Sequence, residues 1–482
     1  MRLVGFKKWT FTGIAVLLSL AFVLRGFTED AVFQPKQLPE SKVAVFQSDK
    51  GEAKDITEAD ILEMVSNAVE LAGGFDGLIK DGQTVVLKPN LVGMTDYIDG
   101  SPLEIECNGV TTDWRVTKAV AALVRRYNPH GKVYVMEGSA FKTRPIMEYF
   151  KYTPQFIPDV DEFIAIEEDS GEWEDVNSPG LSKVSLPQGL IHKEYYLNKK
   201  YKEADVLISI PCMKTHWHAA VTCGIKNVGI GATPANIYGQ GPGSTGRGSM
   251  VNHNSEELHQ WIHDFFLCRP VDFVVVDALQ GIQNGPTPSA SWSNCDEDTG
   301  PPEKMSDAQM NMRLILAGRD PVAVDTIAAL IMGWDPCSVP YLQYLNQDAA
   351  GNLDTACIDV CGKSVDAVRK YFAGKVPWAG GAKLQDREAP GSVLRGWSVK
   401  KNILSISLSG IEDVHKIDIF IDGELKKRIT RDFKNIGLDL KDTGKGAHQA
   451  ALEIYDAALN RRELTFKFSV KKLPMEPVLK NI

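Results

Sequence analysis

Short apolar runs alternate with amphipathic stretches through most of this chain. Residues 42–47, 84–88, 132–136, 205–210, 272–277 and 313–317 are brief, nearly continuous runs rich in Val, Ile, Leu and Ala. Runs of that length predict strands covered on both faces. Between them, 57–72, 112–127, 255–267 and 321–332 repeat apolar residues at helical period. Ile61, Leu62, Val65 and Val69 line the first; Val116, Val120, Leu123 and Val124 line the second. Thr57 with Asp60 three residues on predicts a capping box, and Gly73-Gly74 a stop. Thr111, Thr112 and Asp113 mark the second helix start, and Asp320 before Pro321 predicts an N-cap for the last. The expected fold class is α/β: a mostly parallel sheet with flanking helices and long loop insertions.

The rhythm is interrupted at 141–203, which is irregular and rich in acids and prolines, and by Gly/Pro/Ser-rich segments at 231–250 and 281–306. Loops that long inside a compact domain are usually functional. After residue 375 the pattern changes. Glycines and prolines at 376–393 predict a linker, and 394–475 alternates apolar and polar residues with turn signals, predicting a small all-β sandwich. The α/β domain is thus assigned to 41–375. At the other end, Arg2, Lys7 and Lys8 precede an apolar run from Trp9 to Leu24. Residues 1–30 are read as a signal peptide or, since no small-residue cleavage site follows, as an uncleaved membrane anchor. Either places the remainder outside the cytoplasm, membrane-anchored or secreted. There some of the eight cysteines are able to pair, with Cys357 and Cys361 as possible helix neighbours.

The chemistry collects where strands stop. Lys88-Pro89-Asn90 ends one strand, and proline there interrupts the ladder. After Pro211 come Lys214, His216, His218, Lys226 and Asn227. Asp277 is expected to end the most apolar strand, Asp325 to lie one turn into a helix, and Thr112 to offer a hydroxyl at a helix N-terminus. In open α/β sheets ligands sit beyond the carboxyl ends of the strands. Lys88, Asn90, Thr112, Lys214, Lys226 and Asn227 are therefore the candidate ligand-binding residues. His216, His253 and Asp277 are the candidates for moving protons. A divalent metal held by His216, His218 and Asp325 is the alternative use of the same block, if the segment after Pro211 stays extended. His259 and His263 are four apart but lie beside the buried helix face. There is no phosphate loop or nucleophile elbow, and no long basic stripe on a chain of net charge −9, so nucleic acid is not an expected partner.

Four blocks, Val85–Leu91, Val206–Gly229, Val274–Gly281 with Asn284–Pro286, and Leu314–Asp325, together resemble the family called domain of unknown function 362. The resemblance implies a histidine at the position of His253 but supplies no activity. Some members carry a cysteine-rich ferredoxin segment; this chain has no Cys-x-x-Cys, so no iron–sulfur motif is present. Ile419–Gly423 and Gly446–His448 resemble bacterial immunoglobulin-like modules. The residues point to an enzyme acting on a small anionic substrate or cofactor. The alternative is a non-catalytic, membrane-tethered protein that binds or matures an anion or metal.

Overall fold

The computed structural model describes residues 33–470 apart from 141, 242–250, 252, 254–255, 292–294, 297, 378–379 and 385–386. The anchor assigned to 1–30 and the glycine-rich part of 231–250 lie outside the described residues. The architecture below is that of the unit 35–482. Among the described residues no helix is long and apolar enough to cross a membrane.

A ten-stranded sheet organises the α/β part. Its order is Ile358–Gly362, Ser41–Gln47, Leu314–Gly318, Phe273–Ile282, Val206–Ile210, Thr84–Pro89, Lys132–Glu137, Glu162–Ala165. Along this path only Leu314–Gly318 runs against its neighbours; the other pairings are parallel. The sheet is mostly parallel, as the strand–helix rhythm predicts. Cys212–His216 follows Pro211, pairs with Phe273–Ile282, and turns back as Ala220–Thr222.

Apart from Thr84 at the start of its strand, the central strands are buried along their length because helices cover both faces. Successive side chains alternate between those faces. Val85, Leu87, Val275 and Leu279 join the core that the helices Glu58–Leu71 and Trp114–Tyr127 complete. Val274 points the other way, against the helix Gly224–Gly231; a Cβ on Gly224 would lie 2.9 Å from its methyl. The helix Glu257–Cys268 packs behind that one just as closely, since a Cβ on Gly229 would lie 3.1 Å from Ile262.

Local signals are realised where they are short-range. Thr57 and Asp60 form the capping box, with Asp60 N donating to Thr57 Oγ1 (3.2 Å) and Thr57 N to Asp60 Oδ2 (2.8 Å). Asp320 caps Pro321–Ile331 through Val322 N and Ala323 N. Three expectations are corrected. The second helix begins at Trp114, two residues later than the expected 112, with Asp113 of the expected start as its cap. The strand expected to stop at Asp277 continues to Ile282, so Asp277 lies within it. Cys357 and Cys361 are not helix neighbours, because the chain enters the strand Ile358–Gly362 between them. All eight cysteines are free thiols.

The C-terminal strands form two antiparallel sheets. Val393–Lys400, Ile403–Ser409 and Asn435–Asp439 make one; Glu424–Ile429, Lys416–Ile421, Gly446–Tyr455 and Arg461–Val470 make the other. Leu404, Ile406 and Leu438 from the first and Ile419, Leu452 and Phe468 from the second share a core of their own. The sandwich meets the α/β part through polar groups. Arg428 bridges Asp418 (2.7 Å), Asp359 (3.0 Å) and Glu40 (2.8 Å), Lys416 Nζ donates to Ile358 O (3.1 Å), and His415 Nε2 meets Asp354 Oδ1 (2.7 Å). Two cores joined by ion pairs are the hallmark of parts that fold separately. A chain ending at residue 390 is therefore expected to remain folded, with a single cooperative melting transition in place of two; aggregation of that fragment would contradict the assignment.

Candidate functional site

Thr84–Pro89, Lys132–Glu137 and Val206–Ile210 run parallel and end at the same sheet edge. Their last residues therefore meet. Lys88 is fully buried, and its Nζ donates to Glu137 Oε1 (2.8 Å), Pro89 O (2.7 Å) and Asn227 Oδ1 (3.2 Å). Glu137 accepts also from Leu91 N (2.9 Å) and Gly138 N (2.7 Å). Burial pushes its carboxyl upward in pKa, opposed by Lys88 and by these two amides. Asn227 Nδ2 returns to Lys88 O (2.9 Å) and Ser209 Oγ (3.0 Å). Charge and hydrogen bonds close on themselves here, as a buried pair requires.

Above this pair lies a cavity of about 180 Å³ lined by Asn90, Glu137, Lys214, His216, Thr222, Lys226, Asn227 and His253, among others. The strand Cys212–His216 and the first turn of Gly224–Gly231 supply the cationic wall. Lys214 Nζ donates to Val110 O (2.6 Å). Neither Lys214 nor Lys226 is ion-paired with a carboxylate among the described residues. Asn90 Oδ1 and Thr222 Oγ1 are buried there without a hydrogen-bond partner among the described residues. Unmet polar atoms against a cavity wall are costly unless something enters to satisfy them.

Burial lowers the pKa of both lysines. Lys214 falls to about 8 by burial, and Lys226 to about 7 by burial and then by Lys214. The His216 ring is held well below its usual range, first by burial and then by Lys226, His253, His218 and Lys214. Its Nδ1 accepts from His218 N (3.1 Å) and Ala219 N (3.3 Å). That network assigns the proton of the neutral ring to Nε2, so His216 offers the cavity a donor. His253 lies on the same wall, its Nδ1 2.9 Å from Val251 O.

The structure thus gathers Asn90, Lys214, His216, Lys226, Asn227 and His253 on one cavity, with Lys88 one layer beneath. It does not bring the aspartates there. Asp277 accepts from Asp113 N (2.7 Å) and Leu279 N (3.1 Å), pinning the start of the second helix; burial, then Asp113, raises it to about 7. Asp325 accepts from Gly224 N (2.8 Å) and Ile225 N (3.1 Å), capping the helix that carries Lys226, and burial raises it to about 7. The expected metal set is therefore not assembled: Asp325 is occupied by amides, His216 has one nitrogen taken, and the His218 ring packs tilted against Trp217 with centroids 4.0 Å apart. Among the described residues no group of three His, Cys, Asp or Glu side chains is arranged to hold a metal. Thr112 is structural too, its hydroxyl bridging Asn90 N (2.9 Å) and Ile210 O (2.7 Å). His259 stacks on Tyr341, and His263 lies between Asp264 and Asp348.

Glu137 and Thr222 were not among the expected residues. Glu137 was detectable, since it ends an apolar strand before Gly138 in the way Lys88 ends its own. Thr222 was not, because nothing in sequence marks the three-residue return strand Ala220–Thr222.

Comparison with known proteins adds a family. The chain is 24% identical over 282 residues to a thylakoid-associated protein of Synechocystis sp., a match covering 58% of this chain and 72% of that one. Among solved structures, lactate racemase apoprotein from Thermoanaerobacterium thermosaccharolyticum superposes with TM-score 0.33 at 12% identity, over 58% of this chain and 54% of that one. The chain therefore spans about half the length of that racemase. Fibronectin(III)-like modules of CbhA from Clostridium thermocellum superpose with TM-score 0.14 at 16% identity, over 17% of this chain and 95% of that one. These structural likenesses are too slight to bear on activity. Residues 85–330, just over half of the chain and including the whole lining of the cavity, match the domain of unknown function DUF362, and the chain belongs to that family.

Proposed function

We propose that this protein is an enzyme whose substrate is a small anion, bound in the cavity between Lys214 and Lys226. The carrying observation is that two buried lysines line one cavity and, among the described residues, neither is ion-paired with a carboxylate. Like charges in a low-dielectric site raise each other's cost, and a bound anion removes it. His216 Nε2–H and Asn90 supply directional contacts, and the His253 imidazole lies on the same wall. Residues 1–30 would tether the protein on the extracytoplasmic side. The basic-then-apolar pattern supports that placement, and the thylakoid association of the Synechocystis relative is in keeping with a membrane setting. The C-terminal sandwich we read as an immunoglobulin-like spacer.

The test is thermal. Phosphate, sulfate or a small carboxylate at constant ionic strength is expected to raise the melting temperature, since a ligand at a hundred times its Kd adds about 2.7 kcal/mol to the folded state. Lys214→Met is expected to abolish that shift while leaving the protein folded. The shift should also shrink as pH rises through 7 to 8, where Lys226 and then Lys214 lose their charge. A melting temperature unmoved by any of these anions overturns the reading.

A further inference from the structure

The two cavity lysines are not equivalent. Lys214 has an acceptor for its ammonium, the carbonyl of Val110 at 2.6 Å. Lys226, on the first turn of Gly224–Gly231, is 8% exposed, lines the same cavity, and has neither a carboxylate nor a carbonyl bound to its Nζ among the described residues. When two ammonium groups share a dry space, one proton leaves, and it leaves the group with nothing to hold it. Lys214 is the member built to stay charged. Lys226 is the member built to present a lone pair.

We propose that Lys226 is a nucleophilic amine that forms an imine with a small 2-oxo carboxylate, whose carboxylate group is held by Lys214. This rests on the anion-site reading and names its substrate class. The Lys226 nitrogen lone pair attacks the keto carbon, forming the C–N bond as the C=O π pair moves to oxygen. One amine proton passes from nitrogen to that oxygen, with the His253 imidazole on the same wall to carry it. The remaining amine proton follows as the C–O bond breaks, so the oxygen leaves as water and the nitrogen pair closes the C=N bond. The sum is amine plus ketone giving imine plus water, with no oxidant or reductant. His216 Nε2–H and the unpartnered Thr222 hydroxyl give the departing oxygen hydrogen-bonding partners. A cavity of about 180 Å³ holds roughly six waters at about 30 Å³ each, the bulk of a three- or four-carbon acid rather than a nucleotide. The lowering of Lys226 to about 7 agrees with this division of labour.

The experiment is reductive trapping on the full-length protein at pH 7. The protein is incubated with pyruvate, or separately glyoxylate, and sodium cyanoborohydride, then analysed by intact mass and peptide mapping. The expected product on pyruvate is a gain of one pyruvic acid less one oxygen, located at Lys226. It should form about a hundredfold faster there than at surface lysines, whose amines are almost wholly protonated at that pH. Excess acetate, which has the carboxylate but no keto group, should suppress it. Lys226→Met should abolish it and Lys214→Met should slow it. Labelling spread over many lysines without preference for Lys226, or no labelling, overturns the proposal. Acetate alone separates the two readings. If acetate raises the melting temperature but no adduct forms at Lys226, the anion site stands and the imine falls; if acetate, phosphate and sulfate all leave the melting temperature unmoved and no adduct forms, both fall.

Discussion

Lys226→Met is expected to stabilise the ligand-free protein by about 5 kcal/mol at pH 6. The figure follows from a lysine whose pKa falls from 10.5 to about 7 on folding, at about 1.4 kcal/mol per tenfold change in proton affinity. The sign is set by linkage. Between pH 7 and 10.5 the unfolded chain keeps the proton and the folded chain does not, so wild-type stability rises with pH across that window. Below pH 7 both states are protonated and the whole cost of burying the ammonium is present. Above 10.5 neither is, and the cost is gone. The gain from methionine should therefore be largest at or below pH 6 and vanish near pH 10.5. Unfolding midpoints of the two proteins across that range are the measurement. A variant less stable than wild type at pH 6 would mean that Lys226 has a hidden partner. Saturating anion should narrow the gap, by about 2.7 kcal/mol at a hundred times its Kd, because the wild-type lysine then has its counter-ion and the methionine has lost a contact.

The second large effect is of opposite sign. Glu137→Ala is expected to cost about 3–5 kcal/mol, because it strands the Lys88 ammonium in a fully buried position. Leu91 N and Gly138 N lose their acceptor as well. Replacing both partners, Lys88→Met with Glu137→Leu, should recover most of the loss, since no charge is then left unpaired. Urea unfolding of the single and double variants decides it. A single-variant cost under about 1 kcal/mol would show that water or an ion reaches Lys88 in solution. The same pair explains why Lys88, though expected at the site, does not line the cavity: its charge is already met by Glu137.

Much of this was legible along the chain. The strands at 84–88 and 205–210 are continuous apolar runs whose only stable place is the middle of a covered sheet, and each is found there. The Thr57–Asp60 box and the Asp320–Pro321 start need only residues within one helical turn, so sequence alone determined them. Parallel strands end on one edge, which is why Asn90, Lys214, His216, Lys226 and Asn227, each just past a strand or the turn after it, converge on one cavity.

Other properties depend on contacts that no local pattern records. Lys88 meets Glu137 across 49 residues, and Asp325 meets Gly224 across 101. Asp277 was expected at a strand end because the apolar run is interrupted there; pairing with Cys212–His216 and Leu314–Gly318 carries the strand five residues further and seats the carboxylate inside it. His216 was read as a proton carrier from its neighbours in sequence. Its tautomer is set by two amides of the turn that follows it. The sequence by itself determined the elements, their order and the sheet edge at which chemistry gathers, because those follow from periodicity and short-range caps. Tertiary structure alone decided which charges are neutralised by partners and which are left facing the cavity, because a buried charge is paired by whichever group the packing brings within about 3 Å, and that group is distant in the chain.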